Sequence, residues 1–231
     1  MKAYSIVIKD NDISEFGFKN LIESSKQVNN EFEIERFNAI TPQTVNETLE
    51  KYKLKWNYPW EGSILDPWTG LRKSAYGEKN KLKRIACSLS HFLLWKKCSD
   101  IGENILILEH DTKFIHKLDV SKLEVSEFKI IGINDPTNST FAANIYKDKI
   151  TNFTKEIDKV PLITSKEIPQ GLAGNSAYYI QPEAADYMID LCYKYGVWPN
   201  DAIMCQQLCP WLGVTKTFYT ESQNLKSTTS L

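Results

Sequence analysis

The sequence is poor in the residues and patterns that most often announce chemistry. It has only three histidines, and its five cysteines, at 87, 98, 192, 205 and 209, form no Cys-x-x-Cys pair. An odd set of unpaired thiols fits a compartment where cysteines stay reduced. Cys205-x-x-x-Cys209 alone is a poor zinc site, and no Cys or His stands at a usable spacing from His110, so a zinc enzyme is not expected. There is no Gly-x-x-x-x-Gly-Lys loop, no Gly-x-Gly-x-x-Gly turn and no Gly-x-Ser-x-Gly elbow. Kinase, dinucleotide and hydrolase readings lose their usual support. No segment approaches ~18 consecutive apolar residues, and the apolar run in "MKAYSIVIKD" is far too short for a signal peptide. The expectation is a cytoplasmic protein without an integral membrane segment. Nor is there an excess of either charge: Lys+Arg 28 against Asp+Glu 29 leaves a net charge of −1. Whole-chain charge therefore argues neither for nor against a polyanionic partner.

What is present suits one folded domain. Hydrophobic residues make up 42% and charged residues 25% of the 231 positions, enough for a sizeable core. "AYSIVI" (3–8) reads as a buried strand, "SEFGFKNLIESSKQV" as a helix and "EFEIERFNAI" as a strand near a sheet edge. Strand, helix, strand argues for an α/β sheet flanked by helices. "WNYPWEGSILDPWTG" (56–70) reads as a long ordered loop whose tryptophans form a mini-core or, less in keeping with how aromatics are used, a stacking platform for sugar or base. "RKSAYGEKNKLKR" sets Arg72, Lys73, Lys79, Lys81, Lys83 and Arg84 against the single acid Glu78. It feeds the helix "IACSLSHFLLWKKC", which has apolar positions on two sides, and such a junction suits phosphate oxygens.

"NILILEHDTKF" and "FKIIGIND" are continuous apolar strands that end in polar groups. In open α/β sheets ligand sites gather at the carboxyl ends of strands, which here places Glu109, His110, Asp111, Asn134 and Asp135 together. Acid-x-acid at such a strand end puts two oxygen donors on one side of a turn, in reach of one hard divalent ion. An ion held there neutralises a diphosphate leaving group. His91, on its helix stripe, reads as a satisfied core histidine with a hydrogen-bonding role. Positions 136–168 are weakly patterned. "GLAGNSAYYIQPEAADYMIDLCYKYG" gives a turn, a strand and a helix ending near Gly196, and "WPNDAIMCQQLCPWLG" reads as a helix from Asn200 to Pro210. The domain is taken as 1–222, with 223–231 a frayed tail.

"ACSLSHFLLWKKC", "ILILEHDTKF", "GLAGNSAYYIQPEAADYMID" and "PNDAIM" occur in the order of the blocks of glycosyltransferase family 25, which the chain resembles over about residues 4–205. It departs from that pattern in having His110 between the outer acids. The resemblance implies a GT-A-type, Rossmann-like mixed sheet flanked by helices, a nucleotide-sugar donor and Mn²⁺ or Mg²⁺. It implies Asp111 as principal metal ligand, with Glu109 in support or on the donor sugar beside His110. Lys83 and Arg84 would face the diphosphate, His91 belongs to the family's Ser-His pair on the donor side, and Gly174, Asn175 and Ser176 shape the wall. Asp201 is the expected general base, with Asp135 second. The implied acceptor is a saccharide. Resemblance of the Ile-Leu-Glu-His-Asp block to phage-encoded members implies an alternative acceptor, hydroxymethylcytosine in DNA, and a host-cytoplasm setting. An inactive nucleotide-sugar binding module is the remaining alternative.

Overall fold

The computed structural model describes residues 1–77, 80–137, 139, 142–226 and 228. In chain order the elements are β1 (Lys2–Val7), α1 (Asp12–Gln27), β2 (Ile34–Asn38), α2 (Val45–Lys51), β3 (Ser63–Leu65), β4 (Arg72–Ser74), α3 (Lys81–Ile101) and β5 (Ile105–Glu109). There follow β6 (Thr112–Phe114), α4 (Val120–Glu124), β7 (Ile130–Gly132), α5 (Ala143–Thr151), β8 (Ile157–Lys159), β9 (Ala177–Ile180), α6 (Pro182–Tyr195), α7 (Asn200–Ile203), β10 (Leu212–Thr215) and β11 (Thr220–Ser222). Seven strands form one mixed sheet in the order β2-β1-β5-β9-β7-β10-β8. Strands β2, β1 and β5 pair in parallel, and β9 runs antiparallel between β5 and β7. This is the mixed α/β sheet with flanking helices that the sequence led us to expect.

β5 shows why the sheet is central. Ile105 and Ile107 point into one core and Leu106 and Leu108 into the other, all four fully buried. The period-2 alternation of a strand thus serves two apolar layers at once, each such side chain contributing roughly 1.5–3 kcal/mol. The first core lies under α3 and α6, the second under α1 and α4. Glu109 continues the odd-numbered face and therefore emerges toward α3.

α3 begins four residues earlier than the apolar stripe suggests. Asn80 caps it by accepting from the Lys83 N–H at 3.2 Å, and Gly102, at φ +63°, closes it in the left-handed conformation. The early start draws Lys81, Lys83 and Arg84 into the first turns. The basic run itself does not stay together. Lys73 is fully buried, paired with Asp66 at 2.7 Å and bonded to the Asn57 carbonyl at 2.9 Å. Arg72 lies against Glu167, and Lys81 sits over the Trp60 ring. Lys79 and Glu78 lie outside the described residues.

The 56–70 loop is partly regular, since β3 and β4 pair as a hairpin. Trp56 and Trp60 stack with centroids 4.9 Å apart, and Tyr58 packs on Trp198, so the mini-core is real for these. Trp68 stands apart, 75% exposed. The helix expected from Asn200 to Pro210 lasts one turn. Met204 leaves helical geometry, and Cys205 forms a bridge to Gly171 instead. The strand expected across 128–135 is shorter too, for Asn134 turns away to bridge Thr220. Nor is the chain frayed immediately past Ser222: Gln223 makes several hydrogen bonds to the body, and Leu225 packs near Gly17.

Candidate active site

The chain builds β2 on one side of β1 and β5 on the other, so the carboxyl ends of β1 and β5 flank a topological switch, where open sheets leave a crevice. A cleft of roughly 720 Å³ occupies it. Its floor is the Glu109–Asp111 turn. Its walls are the loop after β1 (Lys9–Asn11), the loop after β2 (Ala39–Gln43), the start of α3 (Lys83, Arg84, Cys87), Gly174, Asn175, Asn200 and Asp201, and the segment with Leu225 and Lys226.

Behind Glu109 runs a buried relay. His91 Nε2 lies 3.1 Å from Glu109 Oε1, His91 Nδ1 lies 2.9 Å from the Tyr178 hydroxyl, and Trp95 Nε1–H donates to that hydroxyl at 2.9 Å. One arrangement satisfies every atom: Trp95 donates to Tyr178, Tyr178 to His91 Nδ1, and His91 Nε2–H to Glu109. His91 is fully buried and both its nitrogens are used, so its ring is engaged behind Glu109. The neighbouring Ser90 does a similar job for another wall, accepting from the Ile40 N–H at 2.9 Å while donating to Ala86.

The two acids differ in electrostatics. Burial pushes Glu109 up, but the hydrogen bond from His91, with the positive charge of Arg84 nearby, outweighs it and holds the carboxyl below its usual value. Burial and the charge of Glu109 push Asp111 up to about 7. Its Oδ1 is buried without a hydrogen-bond partner among the described residues. Two carboxylates at the cleft floor, one with an unspent oxygen, are the donor type that a hard divalent cation takes. His110 is not part of that set: its ring is buried and bonded to the Ile6 backbone, and burial lowers its basicity. A second cluster, which the sequence reading overlooked, joins Cys87 and His91 one helical turn apart with Glu109, all donor atoms within 4.8 Å. The i, i+4 spacing was the signal available. The network around His91 already spends both ring nitrogens, and burial pushes the Cys87 thiol well above its usual value.

Asp201 reaches the cleft from α7. Its carboxylate caps no helix but accepts from the Tyr76 hydroxyl at 3.1 Å, and the Arg84 guanidinium lies 4.7 Å from the Tyr76 ring centre. Burial raises its pKa, against the lowering effect of Arg84 and Tyr76. Asp135, the second candidate, does not line the cleft. It pairs with Lys147 at 2.7 Å and accepts from the Thr137 N–H and hydroxyl, which together hold its pKa low despite burial. Asn175 lines the cleft, 9% exposed, and neither end of its amide has a hydrogen-bond partner among the described residues. Gly174 makes this possible: at φ +70°, a Cβ there would lie 2.8 Å from Asn134 Nδ2. Ser176 serves through its backbone, accepting from the Glu109 N–H at 2.7 Å and the Thr112 hydroxyl at 2.9 Å.

Among known proteins, a family model described as glycosyltransferase family 25 (LPS biosynthesis protein) matches residues 18–204. No curated protein matches the sequence. Among solved structures, the galactosyltransferase LgtC in complex with donor and acceptor sugar analogues aligns over 93% of this chain and 73% of its own, at 9% identity and a TM-score of 0.46. The bifunctional glycosyltransferase WbbM, in its apo form, aligns over 94% and 38%, at 10% identity and a TM-score of 0.45. Mouse xyloside xylosyltransferase 1, also apo, aligns over 91% and 83%, at 9% identity and a TM-score of 0.44.

Proposed function

The chain belongs to glycosyltransferase family 25, and from that premise we propose that it transfers a sugar from a nucleotide-sugar donor to a saccharide hydroxyl in the cleft above β1 and β5. The observation that carries this reading is that Glu109 and Asp111 both line the cleft floor, with Asp111 Oδ1 buried and without a partner among the described residues. Asp111 and Glu109 would hold Mn²⁺ or Mg²⁺. When bound, such an ion offsets the negative charge that gathers on a departing nucleoside diphosphate.

The remaining roles fall to side chains whose surroundings are on hand. His91 keeps Glu109 ionised and aimed, so that one carboxylate stays fixed while the donor enters. Lys83 and Arg84, at the start of α3, supply positive charge on the diphosphate side of the cleft. The unpaired amide of Asn175 is free to donate to and accept from sugar hydroxyls, and Gly174 sets its direction. Asp201 takes the proton of the acceptor hydroxyl, its raised pKa moving it toward the range in which a carboxylate is an effective base.

The basic run gives no footing to a DNA acceptor, because Lys73 is buried on Asp66, Arg72 is beside Glu167 and Lys81 is over Trp60. Among the described residues of that run no continuous phosphate track is left. Among the described residues no helix is long and apolar enough to cross a membrane. The test is incubation with a panel of nucleotide sugars, Mn²⁺ or EDTA, and two acceptors, a lipooligosaccharide fragment and a hydroxymethylcytosine duplex, followed by product mass. Metal-dependent product on the saccharide is expected. Product on the duplex alone, or donor binding without turnover, overturns the reading.

A further inference from the structure

The acid turn is held by a residue from the segment that lacks any hydrophobic pattern. The Gln223 side-chain nitrogen donates to the carbonyls of Gly17 at 2.8 Å and Thr112 at 2.8 Å, and shares a longer bond with the His110 carbonyl at 3.2 Å. Its side-chain oxygen accepts from Asn20 Nδ2 at 3.1 Å, and its backbone N–H donates to the Asp111 carbonyl at 2.6 Å. One residue therefore engages the carbonyls of three consecutive positions, His110, Asp111 and Thr112, and ties them to α1.

Strand pairing does not do this. β11 pairs with β6 in a register that sets Ser222 opposite Thr112, so the ladder stops where the turn begins. The carbonyls of His110 and Asp111 lie past its end, and Gln223, the next residue along, takes them up. Glu109 is aimed from its other side by His91. Asp111 Oδ1 has no such partner among the described residues, so the direction of this carboxylate follows the backbone that carries it.

We propose that Gln223 is a positioning residue of the divalent-ion site: by fixing the backbone of the 110–112 turn it sets the direction in which the Asp111 carboxylate faces Glu109. The inference rests on the assignment of Glu109 and Asp111 as ion ligands. Residues that orient ligands from behind typically matter 10- to 100-fold in ion affinity.

The test is Mn²⁺ binding to the substrate-free full chain, followed by the paramagnetic resonance signal of free Mn²⁺, alongside melting curves. Gln223→Ala is expected to weaken Mn²⁺ binding by about 10- to 100-fold. Asn20→Ala, which frees only the side-chain oxygen of Gln223, should weaken it less and in the same direction. Asn30→Ala provides the comparison, because Asn30 accepts from the Leu118 N–H at 2.8 Å and staples a loop elsewhere. It should lower the melting temperature and leave Mn²⁺ binding alone. A merely structural Gln223 would behave like Asn30, with a lower melting temperature and an unchanged Mn²⁺ constant, and that result overturns the proposal. Should Gln223→Ala not fold, unchanged Mn²⁺ binding in Asn20→Ala overturns it equally. Failure of the underlying assignment has a different signature: wild type and Asp111→Asn would bind Mn²⁺ alike.

Discussion

His91 Nε2 and Glu109 Oε1 lie 3.1 Å apart, a buried imidazole on α3 gripping the carboxylate that ends β5. His91→Phe leaves Glu109 without that partner and Tyr178 without an acceptor. Turnover is expected to fall about 10- to 100-fold, as when other outer-shell partners are lost. Steady-state rates at saturating donor check this, and wild-type turnover would dissociate the relay from function. Tyr178→Phe should mainly affect stability, since it strands the Trp95 N–H, at about 1–3 kcal/mol in denaturant titrations.

Gly17 lies mid-helix, where Ala is normally better by about 1 kcal/mol. Here the sign reverses. A Cβ would sit 2.6 Å from the His110 carbonyl oxygen and 2.8 Å from Leu225 Cδ1, and the carbonyl belongs to the acid turn. Gly17→Ala is expected to destabilise by about 1–3 kcal/mol, with transfer activity falling alongside. A variant more stable than wild type would contradict the close approach of α1 to the turn.

The buried pair Asp66 and Lys73 makes an acid-sensitivity prediction. Burial alone would raise the Asp66 pKa, but the bonds from Lys73 and Thr69 outweigh it and lower it below 3.8. A depressed carboxylate contributes stability that is present above its unfolded value and lost as pH falls through its folded value. Melting temperature should therefore drop steeply below about pH 4, and part of that drop should vanish in the double variant Asp66→Asn, Lys73→Met. Asp66→Asn alone strands a buried ammonium and should cost about 3–5 kcal/mol.

Asp201→Asn is expected to lower turnover about 10²- to 10⁴-fold while donor affinity stays near wild type. The groups around this carboxylate are Tyr76, Arg84 and, through space, Glu109. Because its pKa is raised and the working form is ionised, turnover should decline as pH falls from a point above the ordinary carboxylate range. Tyr76→Phe removes a bond that favours ionisation, so the decline should move to higher pH. A pH profile unchanged in Tyr76→Phe would remove Asp201 from the role of base.

Much of this was legible in the sequence where periodicity was strong. The apolar run 105–108 announced a strand buried on both faces, and the acids after it fall at the floor of the cleft, because the end of a central strand opens to solvent at one place. His110 shows the limit: between two acids it looks like a ligand, yet the strand's alternation and burial turn its ring to Ile6. Lys73 reads as part of a basic face and is buried against Asp66 seven residues back, a pairing that the hairpin creates. Gln223 was read as tail because its bonds go to backbone carbonyls of residues far off in the chain, which no local pattern encodes.

The most direct test of the central claim is Mn²⁺-dependent sugar transfer by Asp111→Asn beside wild type, with melting curves to show that both are folded. The paired-acid account predicts transfer by wild type that EDTA abolishes, and a variant that melts cooperatively but turns over at least about 10²-fold more slowly, in line with loss of a strong transition-state interaction. Full metal-dependent activity in Asp111→Asn would contradict it.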